Sequence, residues 1–244
     1  MSNKKFIESI PVGPLAIVAL PGSKALGDKF DAYISGWRSE RLEAKESPIT
    51  FKGYVKDSYL LNVSVPRFGT GEAKCALKDT VRGCDLYIID DVTNHSIEYT
   101  VCGQKNHMSP DDHYADIKRV IAAASGKARK ITVIMPFLYE SRQHRRSSRE
   151  SMDCAVMLQE LVSMGVDNIL TFDAHDPRVN NAIPISGFES IMPTYQYIKN
   201  LSRNVDDLII DDDHLMVISP DEGAMSRVVY FANALGINMG MFYK

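Results

Sequence analysis

Ile131, Thr132, Val133 and Ile134 form an unbroken run of β-branched residues with no polar alternation, the pattern of a strand buried on both faces of a parallel sheet. Pro136 then ends the ladder, since it has no amide hydrogen to give. Arg142, Arg145, Arg146 and Arg149 follow with no acidic residue among them, so this strand delivers a cationic loop. A guanidinium fork suits phosphate or carboxylate, and ligands of open α/β sheets sit beyond the carboxyl ends of the strands. On charge alone, a solvated basic loop or a subunit contact is an equal alternative.

The rest of the chain repeats the alternation that such a strand requires. Residues 15–20 form a buried strand, with Pro21, Gly22 and Ser23 as a turn and Ser23 placed to cap the next helix. Residues 38–58 are charged without a clean period and read as a loop-rich insertion. Apolar residues return over 59–65. Arg67 to Glu72, with two glycines, forms a turn, and 73–77 is the return strand. A second turn precedes a strand over 86–89.

Ser109, Pro110, Asp111 and Asp112 give a helix start in which an N-cap hydroxyl, a first-position proline and two acids agree. Tyr114, Ile117, Val120, Ile121 and Ala124 share one face of that helix, and Gly126 can end it. After the arginine loop come a helix over 152–164 and a strand over 169–172. Further on are a helix over 193–201, a strand over 215–218, a helix over 224–235 and a strand over 237–242. The expected class is α/β with a doubly wound parallel sheet. We expect an N-terminal domain over 1–190, residues 1–14 being a leader, and an incomplete second domain of the same kind over 191–244.

A formal charge of -3 argues against a polyanion partner for the whole chain, so nucleic acid is not expected and the arginine loop is a local feature. Cys75, Cys84, Cys102 and Cys154 are widely spaced with no CxxC pair, which fits reduced thiols in the cytoplasm and no structural zinc. No apolar run reaches the roughly 20 residues a membrane span needs.

Three strand ends carry reactive side chains: the arginine loop, Asp173 with His175, and Asp221 with Glu222. Singly each has a structural reading: a lone histidine is more often a hydrogen-bonded structural residue, and Asp221 before a glycine serves equally as an N-cap. Together they suit a phosphate ester with Mg²⁺, carboxylates holding the hard cation and arginines taking the remaining phosphate charge. Neither GxxxxGK[ST] nor GxGxxG occurs.

The motifs RFGTGE (67–72), VRGCD (81–85), Arg142 with Gln143, Asp173 to His175 and SPDEG (219–223) occur in the order found in ribose-phosphate pyrophosphokinases, which the chain resembles from about residue 59 onwards. The resemblance implies two phosphoribosyltransferase-type domains in homo-oligomers built from dimers, often hexamers. It implies Mg²⁺-dependent transfer of the β,γ-pyrophosphoryl group of ATP to the 1-hydroxyl of ribose 5-phosphate, giving phosphoribosyl pyrophosphate and AMP.

By the same resemblance, Phe68 and Glu72 lie against adenine, Arg142 and Gln143 contact ATP, and His175 and Asp221 are Mg²⁺ ligands. Lys244 takes the place of the catalytic-loop lysine, and Arg82 lies in a segment that binds an allosteric phosphate or ADP in regulated members. The chain departs from the family at Thr70 and His144, where aspartate is usual. The family's ribose 5-phosphate loop falls downstream of Lys244, so the chain alone is expected to be weak or inactive. A non-catalytic regulatory homologue and a nucleic-acid-binding module using the arginine loop are the alternatives.

Overall fold

The computed structural model describes residues 11–44 and 53–242. Most of the expected leader and residues 45–52 of the expected insertion lie outside the described residues, as does Lys244. The chain divides into two compact units, Met1–Ile191 and Met192–Lys244.

In chain order the first unit carries β1 (Leu15–Ala19), α1 (Lys24–Glu43), β2 (Val63–Ser64), β3 (Ala76–Leu77) and β4 (Asp85–Ile89). The hairpin β5 (Glu98–Val101) and β6 (Gln104–His107) follows, then α2 (Pro110–Ala124), β7 (Lys130–Met135), α3 (Asp153–Ser163), β8 (Asn168–Phe172) and β9 (Gly187–Ile191). Five strands make one sheet in the order β1-β4-β7-β8-β9, with every neighbouring pair parallel.

The β-branched run lies at its centre, and its two faces enter different cores. Ile131, Val133 and Met135 join the larger cluster, where α2 and α3 contribute Ile117, Val120, Leu158 and Leu161. Ile134 faces the other way, towards Ile17, Tyr59 and Ile89, against which Phe30 and Ile34 of α1 pack. Gly27 lets α1 approach β1 closely, because a Cβ there would lie 2.3 Å from that of Ala19. Beside α1 this face keeps an apolar cavity of about 570 Å³, lined in part by Trp37, Tyr87, Leu170 and Phe172.

Helix α2 starts at the expected Ser109 N-cap, which Asp112 extends into a capping box. Ser109 Oγ accepts from the Asp112 amide at 3.2 Å, and Asp112 Oδ2 accepts from the Ser109 amide at 2.9 Å. It closes through Ser125 and Gly126, both left-handed.

Two expectations fail. Residues 38–43 are not loop but the last turns of α1, anchored because Arg38 donates to the Tyr54 carbonyl at 3.0 Å and lies over the Tyr54 ring. Charged helix formers without an apolar stripe conceal such a segment from a periodicity reading. Ser23 occupies the N-cap position of α1, yet its buried hydroxyl makes no capping bond.

In the second unit α4 (Thr194–Asn204) is followed by β10 (Val217–Ser219), α5 (Met225–Leu235) and β11 (Met239–Met241), with β10 and β11 paired in parallel across the α5 crossover. Among the described residues no helix is long and apolar enough to cross a membrane.

The fold also sets thiol reactivity. Burial pushes Cys154 up to about 11, and burial with the Asp116 charge does the same for Cys75. Burial also raises Cys84, whereas Cys102 is exposed. A thiol reagent at pH 8 is therefore expected to label Cys102 alone in the native chain. Rapid native labelling that persists in Cys102→Ser would contradict this packing.

Candidate functional site

Because β1, β4, β7 and β8 run parallel, the connections leaving β4, β7 and β8 emerge on one side of the sheet: residues 90–94, 136–150 and 173–176. A cavity of about 400 Å³ opens there, lined by Val92, Thr93 and Pro110 together with Phe137, Glu140 and Arg142 of the β7 connection. The β4 connection is a tight turn in which Asp91 Oδ1 accepts from the Thr93 amide at 3.0 Å and hydroxyl at 2.7 Å. Glu140 holds a left-handed backbone at φ 55°, and its carboxyl is raised by burial and then by the charges of Asp153 and Asp111.

Arg142 is exposed on this cavity. Gln143 follows it, but its side-chain amide donates to the Ser151 carbonyl at 3.0 Å and so closes the loop on itself. His144 turns to the β8 connection: Nδ1 lies 3.2 Å from the Arg142 carbonyl and Nε2 lies 3.6 Å from Asp176 Oδ2. Arg178 grips Asp176 through Nε and Nη2, and these hydrogen bonds hold the carboxyl well below the usual range. The exposed ring of His175 stands 5.0 Å from that of His144.

Behind this surface lies a buried polar layer. His113 Nδ1 is 2.9 Å from Asp90 Oδ2, and its Nε2 is 2.9 Å from the Asn94 carbonyl. Farther along α2, Asp116 takes Arg67 Nη2 at 2.7 Å and Arg119 as a second partner. Arg67 thereby ties down the loop that carries Phe68 and Glu72. The Phe68 amide donates to the Glu72 carbonyl at 2.7 Å, and the Gly71 amide to the Phe68 carbonyl at 2.9 Å. Thr70 donates its hydroxyl to Glu72 Oε2 at 3.1 Å and so holds that carboxylate on its own loop.

The expected residues thus gather in part. Arg142, Gln143 and His175 lie on connections leaving the strand ends, and of the three Arg142 lines the cavity. Phe68 and Glu72 sit on a separate loop, whose cavity includes Thr70 and Gly71 and shares no lining residue with that of Arg142. Arg82 stands before β4 begins, at the opposite end of the sheet. In the second unit Asp221 is exposed and Oδ1 accepts from the Ala224 amide at 3.2 Å, which is N-cap geometry. Among the described residues no three histidine, cysteine or acidic side chains converge as a metal cluster. Reading the sequence missed Asp90, His113 and the role of Arg67, because pairing between β4, α2 and the glycine loop leaves no local spacing signal.

Residues 17–165, more than half of the chain, match the model of the N-terminal domain of ribose phosphate pyrophosphokinase. The chain belongs to the ribose-phosphate pyrophosphokinase family. A ribose-phosphate pyrophosphokinase from Oceanobacillus iheyensis is 26% identical over 74% of this chain and 51% of its own length. The one from Clostridium acetobutylicum is 29% identical over 70% of this chain and 48% of its own length. The chain spans about half the length of the curated relatives it matches. In architecture it is similar to phosphoribosylpyrophosphate synthetase from Mycobacterium smegmatis, with a TM-score of 0.69, 18% identity, and coverage of 94% of this chain and 64% of that one. The family fold accounts for the central parallel sheet.

Proposed function

We propose that the first unit holds the phosphates of ATP at the carboxyl ends of β4, β7 and β8, and that the chain contributes this half of a ribose-phosphate pyrophosphokinase site. In that reaction the β,γ-pyrophosphoryl group passes to ribose 5-phosphate and AMP leaves. The observation that carries the reading is the Arg142 cavity, formed where β4 and β7 end within the segment matching the family. Phe68 and Glu72 would serve the adenine, and Arg82 an allosteric anion. Lys244, outside the described residues, would be the catalytic lysine.

Mg²⁺ prefers oxygen donors and keeps several waters beside substrate phosphates, which suits the Asp221 carboxylate and suits the His175 nitrogen less well. His175 and Asp221 would each offer a Mg²⁺ ligand within its own unit, and the ion would supply neutralisation of phosphate charge. The four free cysteines support a cytoplasmic setting, and a homo-oligomer is the expected assembly.

Calorimetric titration with ATP, with and without Mg²⁺, tests the reading alongside an assay for AMP release on adding ribose 5-phosphate. Saturable Mg²⁺-dependent binding with little turnover is expected. Absence of ATP binding would sink the nucleotide role, and turnover at ordinary enzyme rates would overturn the expectation that the chain alone is weak.

A further inference from the structure

We infer that the β5–β6 hairpin is a positioning element that fixes the loop of residues 67–72 for a nucleobase, an inference that rests on reading Phe68 and Glu72 as the residues facing adenine. The hairpin turns through Cys102 and Gly103, both at positive φ (49° and 82°), the two-residue geometry that matches strand twist. Glu98 and Thr100 are exposed, while Tyr99 and Val101 are half-buried.

Tyr99 and Val101, together with the turn, meet the loop at three points. The Arg67 guanidinium lies over the Tyr99 ring, 4.9 Å from its centroid. The Cys102 amide donates to the Gly69 carbonyl at 2.8 Å. A Cβ at Gly71, whose φ is +92°, would come within 3.2 Å of Val101 Cγ2. The loop therefore rests against the hairpin along its length. Tyr99 is held in turn, its hydroxyl donating to Asp112 Oδ2 at 3.1 Å and accepting from Asn106 at 2.9 Å. Asp112 belongs to the capping box of α2, so the helix start, the hairpin and the loop form one connected support.

Phe68, on this supported loop, is half-exposed, with Lys74 Nζ 6.0 Å from its ring centroid. A base stacking there gains only as much as the ring is already ordered, since ordering a loop on binding subtracts from affinity. The hairpin matters to the base and not to the phosphates.

Tyr99→Leu in the full chain tests this, with circular dichroism as the check on folding. Amide exchange over residues 67–73 should quicken by about tenfold, as local opening becomes easier. Affinity for Mg-ATP should fall by about fivefold while that for Mg-tripolyphosphate, which has no base, stays unchanged. Tyr99→Phe keeps the ring beneath Arg67 and should restore most of the ATP affinity. If Tyr99→Leu weakens the whole fold, Val101→Ala, which leaves the bond to Asp112 in place, should show the same two effects in smaller measure.

Unchanged exchange in these variants would overturn the inference, and so would faster exchange with unchanged ATP affinity. Equal wild-type affinity for ATP and tripolyphosphate would instead remove the base-binding reading of Phe68 and Glu72, and the exchange comparison would still decide whether the hairpin braces the loop.

Discussion

His113→Ala is expected to destabilise the chain by about 3–5 kcal/mol, because it leaves the Asp90 carboxylate buried without its partner. Both side chains are about 1% exposed, so water cannot replace the lost bond. One Asp90 oxygen already has no hydrogen-bond partner, so no second interaction compensates. The site cannot collapse easily either. Gly22 presses on the pair from the end of β1, where a Cβ would lie 2.5 Å from Asp90 Oδ1 and 2.8 Å from His113 Cε1.

The pair also sets a pH dependence. Burial raises the Asp90 carboxyl. Burial alone would lower His113, but its bonds to Asp90 and the Asn94 carbonyl outweigh that and raise it. Groups raised in the folded chain bind protons more tightly there than in the unfolded chain. The His113 contribution is therefore complete below the unfolded histidine value of about 6.5 and is lost as pH rises through the folded value. Asp90 acts with the same sign. Urea midpoints should fall between pH 6 and pH 9 in the wild type, and this slope should be reduced in His113→Ala. Identical slopes would show that the pair does not bind its proton as the geometry requires.

Arg142→Ala is the second change with a large expected effect, and it falls on binding. A hydrogen bond between charged groups is worth about 1.5–3 kcal/mol, so affinity for Mg-ATP should drop by about 10- to 150-fold. The side chain is exposed, so stability should change by less than about 0.5 kcal/mol. Calorimetry and urea unfolding on the same variant separate these effects. Gln143→Ala should cost less, because the Gln143 amide must first leave the Ser151 carbonyl before it can reach a ligand. ATP affinity that is equal in wild type and Arg142→Ala would remove the phosphate role from the β7 connection.

The sequence revealed whatever has a local pattern. The β-branched run of β7, the apolar face of α2 and its Ser109 N-cap are each written in consecutive residues, and each is present in the structure. The last turns of α1 were missed because Arg38 is anchored by Tyr54 and Tyr59, which lie beyond a charged stretch. Strand β9 and the β5–β6 hairpin were missed for a different reason. Gln104 to His107 is wholly polar and exposed, and its order comes from pairing with β5, not from burial. Strand ends were recognisable from the sequence, so the placement of Arg142, Gln143 and His175 on the connections leaving β7 and β8 was legible. Asp90 with His113, and Arg67 with Asp116, depend on how far α2 lies from β4 and from the glycine loop, and no spacing rule gives that.

The central claim is that nucleotide phosphates sit where β4, β7 and β8 end. Amide chemical shifts of the ¹⁵N-labelled chain, followed during titration with Mg-ATP, test it most directly. The account predicts that the large shifts fall on residues 91–94, 140–146 and 173–176, and that Arg142→Ala suppresses them. An unperturbed spectrum, or large shifts that leave all three connections untouched, would contradict it.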